Sequence, residues 1–116
     1  MTFEPFDVVT MPFPYADRAI ASVRPAVILT GFDSFGQRSG IALVAMITTG
    51  KRSAWPFDFP IVDLDSAGLA HACVVRCKLN SIDYKLMEKK IGRLSEADQK
   101  TLHSALGNLF ADIGLR

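Results

Sequence analysis

The chain has 116 residues, 49% of them hydrophobic, and a formal net charge of +1. That length and apolar content suit one domain over residues 1–116, with a core that needs no disulfide staples. No run reaches the ~18 apolar residues of a membrane span, so no membrane partner is expected, and a charge so near neutral neither suggests nor excludes nucleic acid.

The opening "MTFEPFDVV" carries Glu4 and Asp7 and has no basic region of the kind that begins a signal peptide, so it does not read as one. All six prolines fall in the first 60 residues, and no helical pattern survives there. "FDVVTM" alternates and stops at the breaker "PFP", as a first strand does. "YADRAIASV" is a loop leading to Arg24, and "PAVILT" is the second strand. Pro25 at its mouth fixes φ, lacks a donor for a sheet ladder and pushes Arg24 into an extended conformation. The Arg24 guanidinium is therefore presented at the rim of a sheet. "GFDSFGQRSG" is a turn-rich connection, and "IALVAMITT" is a third strand, apolar throughout and so covered on both faces. "GKRSAWPFDFPIVD" opens as a basic loop and continues as a strand that Pro60 confines to an edge. "ACVVRCKLNS" is the fifth strand. Cys73 and Cys77 lie four residues apart within it, about 13 Å at ~3.3 Å per residue, too far for a disulfide. They read as the reduced thiols of a cytoplasmic protein, with no metal-ligand spacing around them. After the turn-like "IDYKLM", the segment "KKIGRL" is a short last strand.

The period then changes. Leu102, Leu106, Leu109 and Ile113 recur at helical spacing beside Ala105. Ser95 is a suitable N-cap, Asp98 falls at the third position of a capping box, Leu94 can staple the start and Gly114 can stop the helix. His103 lies off the apolar stripe, and His71 sits in the loop before the fifth strand. Short strands followed by one amphipathic helix predict a mainly β protein, a small barrel or half-open sheet with a C-terminal α-helix packed on it.

No Gly-rich phosphate loop, nucleophile elbow, HExxH or paired-cysteine motif is present. Polar residues at the ends of apolar strands remain: Arg24, Thr48 and Thr49, with Arg76 inside the fifth strand. An arginine among apolar strand neighbours needs a task or an acidic partner such as Asp17 or Asp63. Between Arg76 and Arg93 six basic residues (Arg76, Lys78, Lys85, Lys89, Lys90, Arg93) face only Asp83 and Glu88. Such a run either follows a phosphate backbone or forms a solvated face. "WPFDFP" can stack bases, receive a partner segment or fill the core.

"FDVVTMPFPYAD", "VRPAVILT", "ALVAMITT", "CVVRCKLNSID" and "KKIGRLS", in this order and spacing, resemble the MazF/PemK family of toxin endoribonucleases from bacterial type II toxin–antitoxin modules. The resemblance implies an SH3-like barrel with appended helices, a homodimer, and an antitoxin protein that occupies the RNA groove. It also implies cofactor-free, metal-independent cleavage of single-stranded RNA, in which the 2′-hydroxyl attacks the adjacent phosphate and leaves a cyclic phosphate and a 5′-hydroxyl. That reaction needs a base, charge stabilisation on the phosphorane and an acid for the leaving oxygen. By resemblance Arg24, Thr48 and Arg76 are the catalytic residues, Arg24 because a guanidinium fork matches two phosphate oxygens. Asp17, Arg18, Thr49, Lys51, Arg52 and Lys78 are the candidate RNA-binding residues.

The chain also departs from the family. Lys78 stands where PemK-like members place a carboxylate proposed as general base, the loop before Arg24 has Asp17 as its only carboxylate, and Phe6 replaces the glycine of a usual Gly-Asp pair. Asp17 or a water is then left as base. Two alternatives stay open: a family member that has lost catalysis and binds RNA or antitoxin, and an unrelated SH3-like domain docking peptides on Trp55 or Phe57. The first of these readings and the enzyme require Arg24, Thr48 and Arg76 to share one face.

Overall fold

The computed structural model describes residues 2–13, 22–50 and 54–114. The alternating apolar segments form β1 (Asp7–Phe13), β2 (Ser22–Ile28), β3 (Ile41–Thr49), β4 (Phe59–Pro60), β5 (Cys73–Asp83) and β6 (Lys89–Arg93). All pair antiparallel in one curled sheet of order β4-β5-β3-β2-β1-β6. The mainly β class is as expected, and of the small barrel and the half-open sheet it is the half-open form that is found: β4 and β6 are its two edges. Pro60 does sit on an edge strand. The short helix α2 (Leu64–Ala67), which follows β4, packs against β6 and bridges the open seam. Ser66 Oγ donates to the Arg93 carbonyl at 2.6 Å. Gly68 ends α2 at φ 74°, and a Cβ there would overlap the Ile91 carbonyl oxygen, so close approach and left-handed backbone both require glycine.

β3 runs through the middle and is covered on both faces, as its sequence predicts. Ala45 and Ile47 join Val8, Val27 and Val75 in one core, whereas Ala42, Val44 and Met46 join Val9, Met11, Ala26 and Ile28 in the other. Burial of this kind contributes roughly 25 cal/mol per Å² of apolar surface removed from water.

Helix α3 (Glu96–Leu109) begins where Ser95 caps it, accepting from the Asp98 amide at 3.2 Å. Leu102 and Ala105 are buried, with Leu106 and Leu109 packed beside them. Ile113 is exposed, contrary to the predicted stripe: the helix ends at Leu109, and a 3-10 turn (Ala111–Ile113) that Gly114 terminates turns Ile113 outward. Two other helical pieces escape the sequence reading, α2 and the turn formed by Phe32–Gly36 running into α1 (Gln37–Ser39).

Among the described residues, Asp7 and Asp98 are the acidic residues buried as whole residues. Asp7 accepts from the Glu4 amide at 2.8 Å and pairs with Lys90 (3.2 Å) and Arg93 (3.0 Å), tying β1 to β6. Asp98, 1% exposed, accepts from the Val62 and Asp63 amides and so fastens α3 to the segment after β4. Phe6, read from the sequence as replacing a glycine, holds φ 75°. That left-handed conformation costs a non-glycine residue roughly 1–2 kcal/mol. It is held by Phe6 N–H donating to Ile28 O (2.8 Å), Leu94 N–H donating to Phe6 O (3.0 Å), and packing of the Phe6 side chain against the core.

Candidate functional site

The ladder between β2 and β3 joins Ala26–Ile28 to Val44–Met46 and stops at Pro25. Proline has no N–H to carry it further. β2 meanwhile stays paired with β1 down to Ser22, so Pro25 lies mid-strand and not at the strand's first residue as the sequence suggested. The consequence is local: beyond Pro25, β2 and β3 part and leave an open cavity of about 330 Å³ lined by Val23, Arg24, Pro25, Ile47, Thr48 and Thr49. That volume lies at the lower end of the ~300–1,000 Å³ typical of small-ligand pockets. Arg24 is exposed and Thr48 half-buried. The guanidinium brings a permanent cation and a planar set of donors; Thr48 brings a hydroxyl.

Arg76 lies opposite Met46, which in turn lies opposite Ala26. Side chains alternate along a strand, so Arg24, Thr48 and Arg76 emerge on the same face of the sheet. Arg76 does not pair with Asp63, which caps α2 by accepting from Ser66 N–H at 3.0 Å; Asp17 lies outside the described residues. Its partner is Asp58, whose Oδ2 accepts from Nε at 3.2 Å and Nη2 at 3.1 Å. The Trp55 ring covers the guanidinium, with its centroid 5.0 Å from Cζ. Trp55 is 43% exposed, so it neither fills the core nor stands apart from the polar site.

The other candidates divide. Thr49 is exposed at the cavity and opposite Cys73 in β5. Lys78 is exposed within a bulge: Met46 faces Arg76 while Ala45 faces Leu79, so Cys77 and Lys78 are extra on β5. Arg18, Lys51 and Arg52 lie outside the described residues, as Asp17 does. The basic run is not a single phosphate-facing stripe, because Asp7 takes Lys90 and Arg93 and Asp58 takes Arg76. His71 and His103 are both exposed.

Cys73 and Cys77 are free and buried. Burial pushes the Cys73 thiol up, partly opposed by a hydrogen bond with Thr49. Burial also raises Cys77, and the nearby Asp58 charge adds to it. Both remain thiols near neutral pH and are poor nucleophiles. Burial likewise raises the Tyr84 phenol, with a smaller push from Glu4.

Sequence reasoning missed Asp58 and the backbone role of Asp98. A signal for Asp58 existed: in "WPFDFP" it alternates with the buried Phe59, and an edge strand placed beside β5 brings one of its side chains next to Arg76.

Solved structures share this fold. MazE-MazF from Deinococcus radiodurans is 16% identical, with 96% of this chain and 98% of that one covered at a TM-score of 0.73. An endoribonuclease in complex with its cognate antitoxin, from a mycobacterial species, is 13% identical over 93% of this chain and 94% of that one, also at 0.73. An Mtb toxin is 32% identical over 75% of this chain and 92% of that one, at 0.62. No curated protein sequence matches the chain. The fold is therefore MazF-like. The sequence profile described as PemK-like, MazF-like toxin of type II toxin-antitoxin system matches residues 4–110, and the chain belongs to that family.

Proposed function

We propose that this toxin is an endoribonuclease that cleaves single-stranded mRNA without a metal, by attack of a 2′-hydroxyl on the adjacent phosphate. The observation that carries the reading is the cavity at the end of the β2–β3 ladder, where Arg24 and Thr48 converge on the sheet face that also bears Arg76. Bound there, a phosphodiester accepts the Arg24 fork and the Thr48 hydroxyl, and the two arginines offset the charge that grows on the phosphorane. Arg76 donates toward the leaving 5′-oxygen. The 2′-oxygen bonds to phosphorus as the bond to the 5′-oxygen breaks; the 2′-proton passes to Asp17 or water, and the 5′-oxygen takes a proton from solvent water, leaving a 5′-hydroxyl. Thr49, Lys78, Arg18, Lys51 and Arg52 are the further residues that bind the RNA.

Family membership supports a cognate antitoxin as partner, a homodimer and a cytoplasmic setting. The test is cleavage of a mixed-sequence RNA in excess EDTA, beside the same RNA with 2′-deoxy nucleotides. Persistence in EDTA, cyclic-phosphate ends and resistance of the 2′-deoxy strand are expected. Binding without cleavage favours instead an RNA-binding member disabled by Lys78 in the carboxylate position.

A further inference from the structure

We propose that Asp58 is the positioning residue for Arg76, fixing its guanidinium in one orientation on the phosphate-binding face; the proposal rests on the ribonuclease reading above. Residue 59 of β4 lies opposite Val75, so the next pair along is Asp58 with Arg76. One carboxylate oxygen, Oδ2, takes both Nε and Nη2, at 3.2 and 3.1 Å. The contact thus uses the side edge of the planar ion and turns its Nη1–Nη2 edge away from Asp58. Rotation within the plane is opposed by Asp58, and tilting out of it by the Trp55 ring at 5.0 Å. An arginine on an otherwise flexible stem is thereby held before any RNA arrives, which removes an ordering cost from the bound and transition states.

Burial separates this role from that of a general base. The Asp58 side chain is 4% exposed against 25% for Arg76, and its other oxygen, Oδ1, is sealed from solvent with no hydrogen-bond partner among the described residues. Oδ2 is engaged and Oδ1 is enclosed, so neither oxygen is presented to a 2′-hydroxyl. A half-satisfied buried carboxylate is a poor choice for stability alone, since apolar residues of similar volume often serve as well or better. Its presence is explained by what it does to Arg76.

The charge makes the role separable from mere structure. Asp58→Asn keeps an acceptor but removes an anion from beside the phosphate site. We expect kcat to fall about tenfold or more through misorientation, while KM for RNA stays level or drops. In an Arg76→Met background the same substitution should change neither parameter further, because Asp58 acts through Arg76. Asp58→Glu, which keeps the charge and displaces the contact by one methylene, should restore part of kcat; it also serves as the second variant should Asp58→Asn fail to fold. In the free protein, the Arg76 Nε–H resonance, assigned by its loss in Arg76→Met, should be protected from exchange in wild type and unprotected in Asp58→Asn. Cleavage by wild type with unchanged kcat and KM in folded Asp58→Asn overturns the proposal alone. Additive effects in the double variant overturn it too, by making Asp58 act independently. A wild type that protects Nε–H yet cleaves nothing defeats the ribonuclease reading itself, and this proposal with it.

Discussion

Asp98 joins the C-terminal helix to the strand edge that carries Asp58, and its removal has a calculable effect. Asp98→Ala takes away the acceptor of the Val62 amide (3.1 and 3.2 Å), the Asp63 amide (3.0 Å) and Ser95 Oγ (3.2 Å). Hydrogen bonds to a charged group contribute about 1.5–3 kcal/mol each. Val62 and Asp63 are exposed residues, so water replaces part of what their amides lose. The Ser95 cap on the Asp98 amide survives, which leaves a net loss of about 2–3 kcal/mol. For a domain of this size that is a fall of roughly 8–12 °C in Tm. Asp98→Asn, retaining one acceptor oxygen, should lose about half as much. Calorimetry gives the magnitude, and hydrogen exchange gives the location: the amides of Val62 and Asp63 should exchange faster in Asp98→Ala while those of β3 keep their order of protection. A melting temperature within about 1 °C of wild type would refute the assignment of Asp98 as the fastener.

Paired glycine substitutions test the closure of the seam. Gly68→Ala, at φ 74° and against the Ile91 carbonyl, should cost more than about 2 kcal/mol in denaturant unfolding, whereas Gly107→Ala, in α3 with open space around it, should add about 0.5–1 kcal/mol. Equal effects at the two sites would contradict the packing of α2 on β6. The thiols give a pH prediction. Burial raises Cys73 and Cys77 above their ordinary value of 9.0, so the folded chain holds those protons after the unfolded chain has released them. Their contribution to stability is whole below pH 9 and is lost as the pH rises through and above it. At neutral pH a thiol reagent should label native protein far more slowly than unfolded protein; equal rates would place the cysteines at the surface.

The fold was legible wherever one residue's chemistry decides its own neighbourhood. The apolar run of β3, the edge imposed by Pro60, and Ser95 ahead of the leucine stripe each act locally and were read correctly. α2 was not legible because four residues are too few to show a helical period. Ile113 continued the period on paper, but a cap at Phe110 broke it. The site divided in the same way. Arg24 was singled out because Pro25 sits beside it, although the meaning of that proline changed, from opening a strand to ending a ladder. Arg76 was recognised as needing a partner, yet Asp58 lies 18 positions away and is selected by the register of β4 on β5. Register follows from pleat and packing along the whole sheet, which single positions do not reveal. Phe6 is a third case: it keeps the backbone that glycine would adopt, held by two backbone hydrogen bonds and its own packing.

The central claim is that Arg24 stabilises a reacting phosphodiester in the cavity at the β2–β3 split. Arg24 is exposed, so Arg24→Ala should leave the melting temperature near that of wild type. Both proteins would be given the same single-stranded RNA in excess EDTA, with cyclic-phosphate ends counted by mass spectrometry over time. The account predicts steady formation of these ends by wild type and a rate lower by about 10²–10³ in the variant. Equal rates would remove Arg24 from the chemistry and contradict the account.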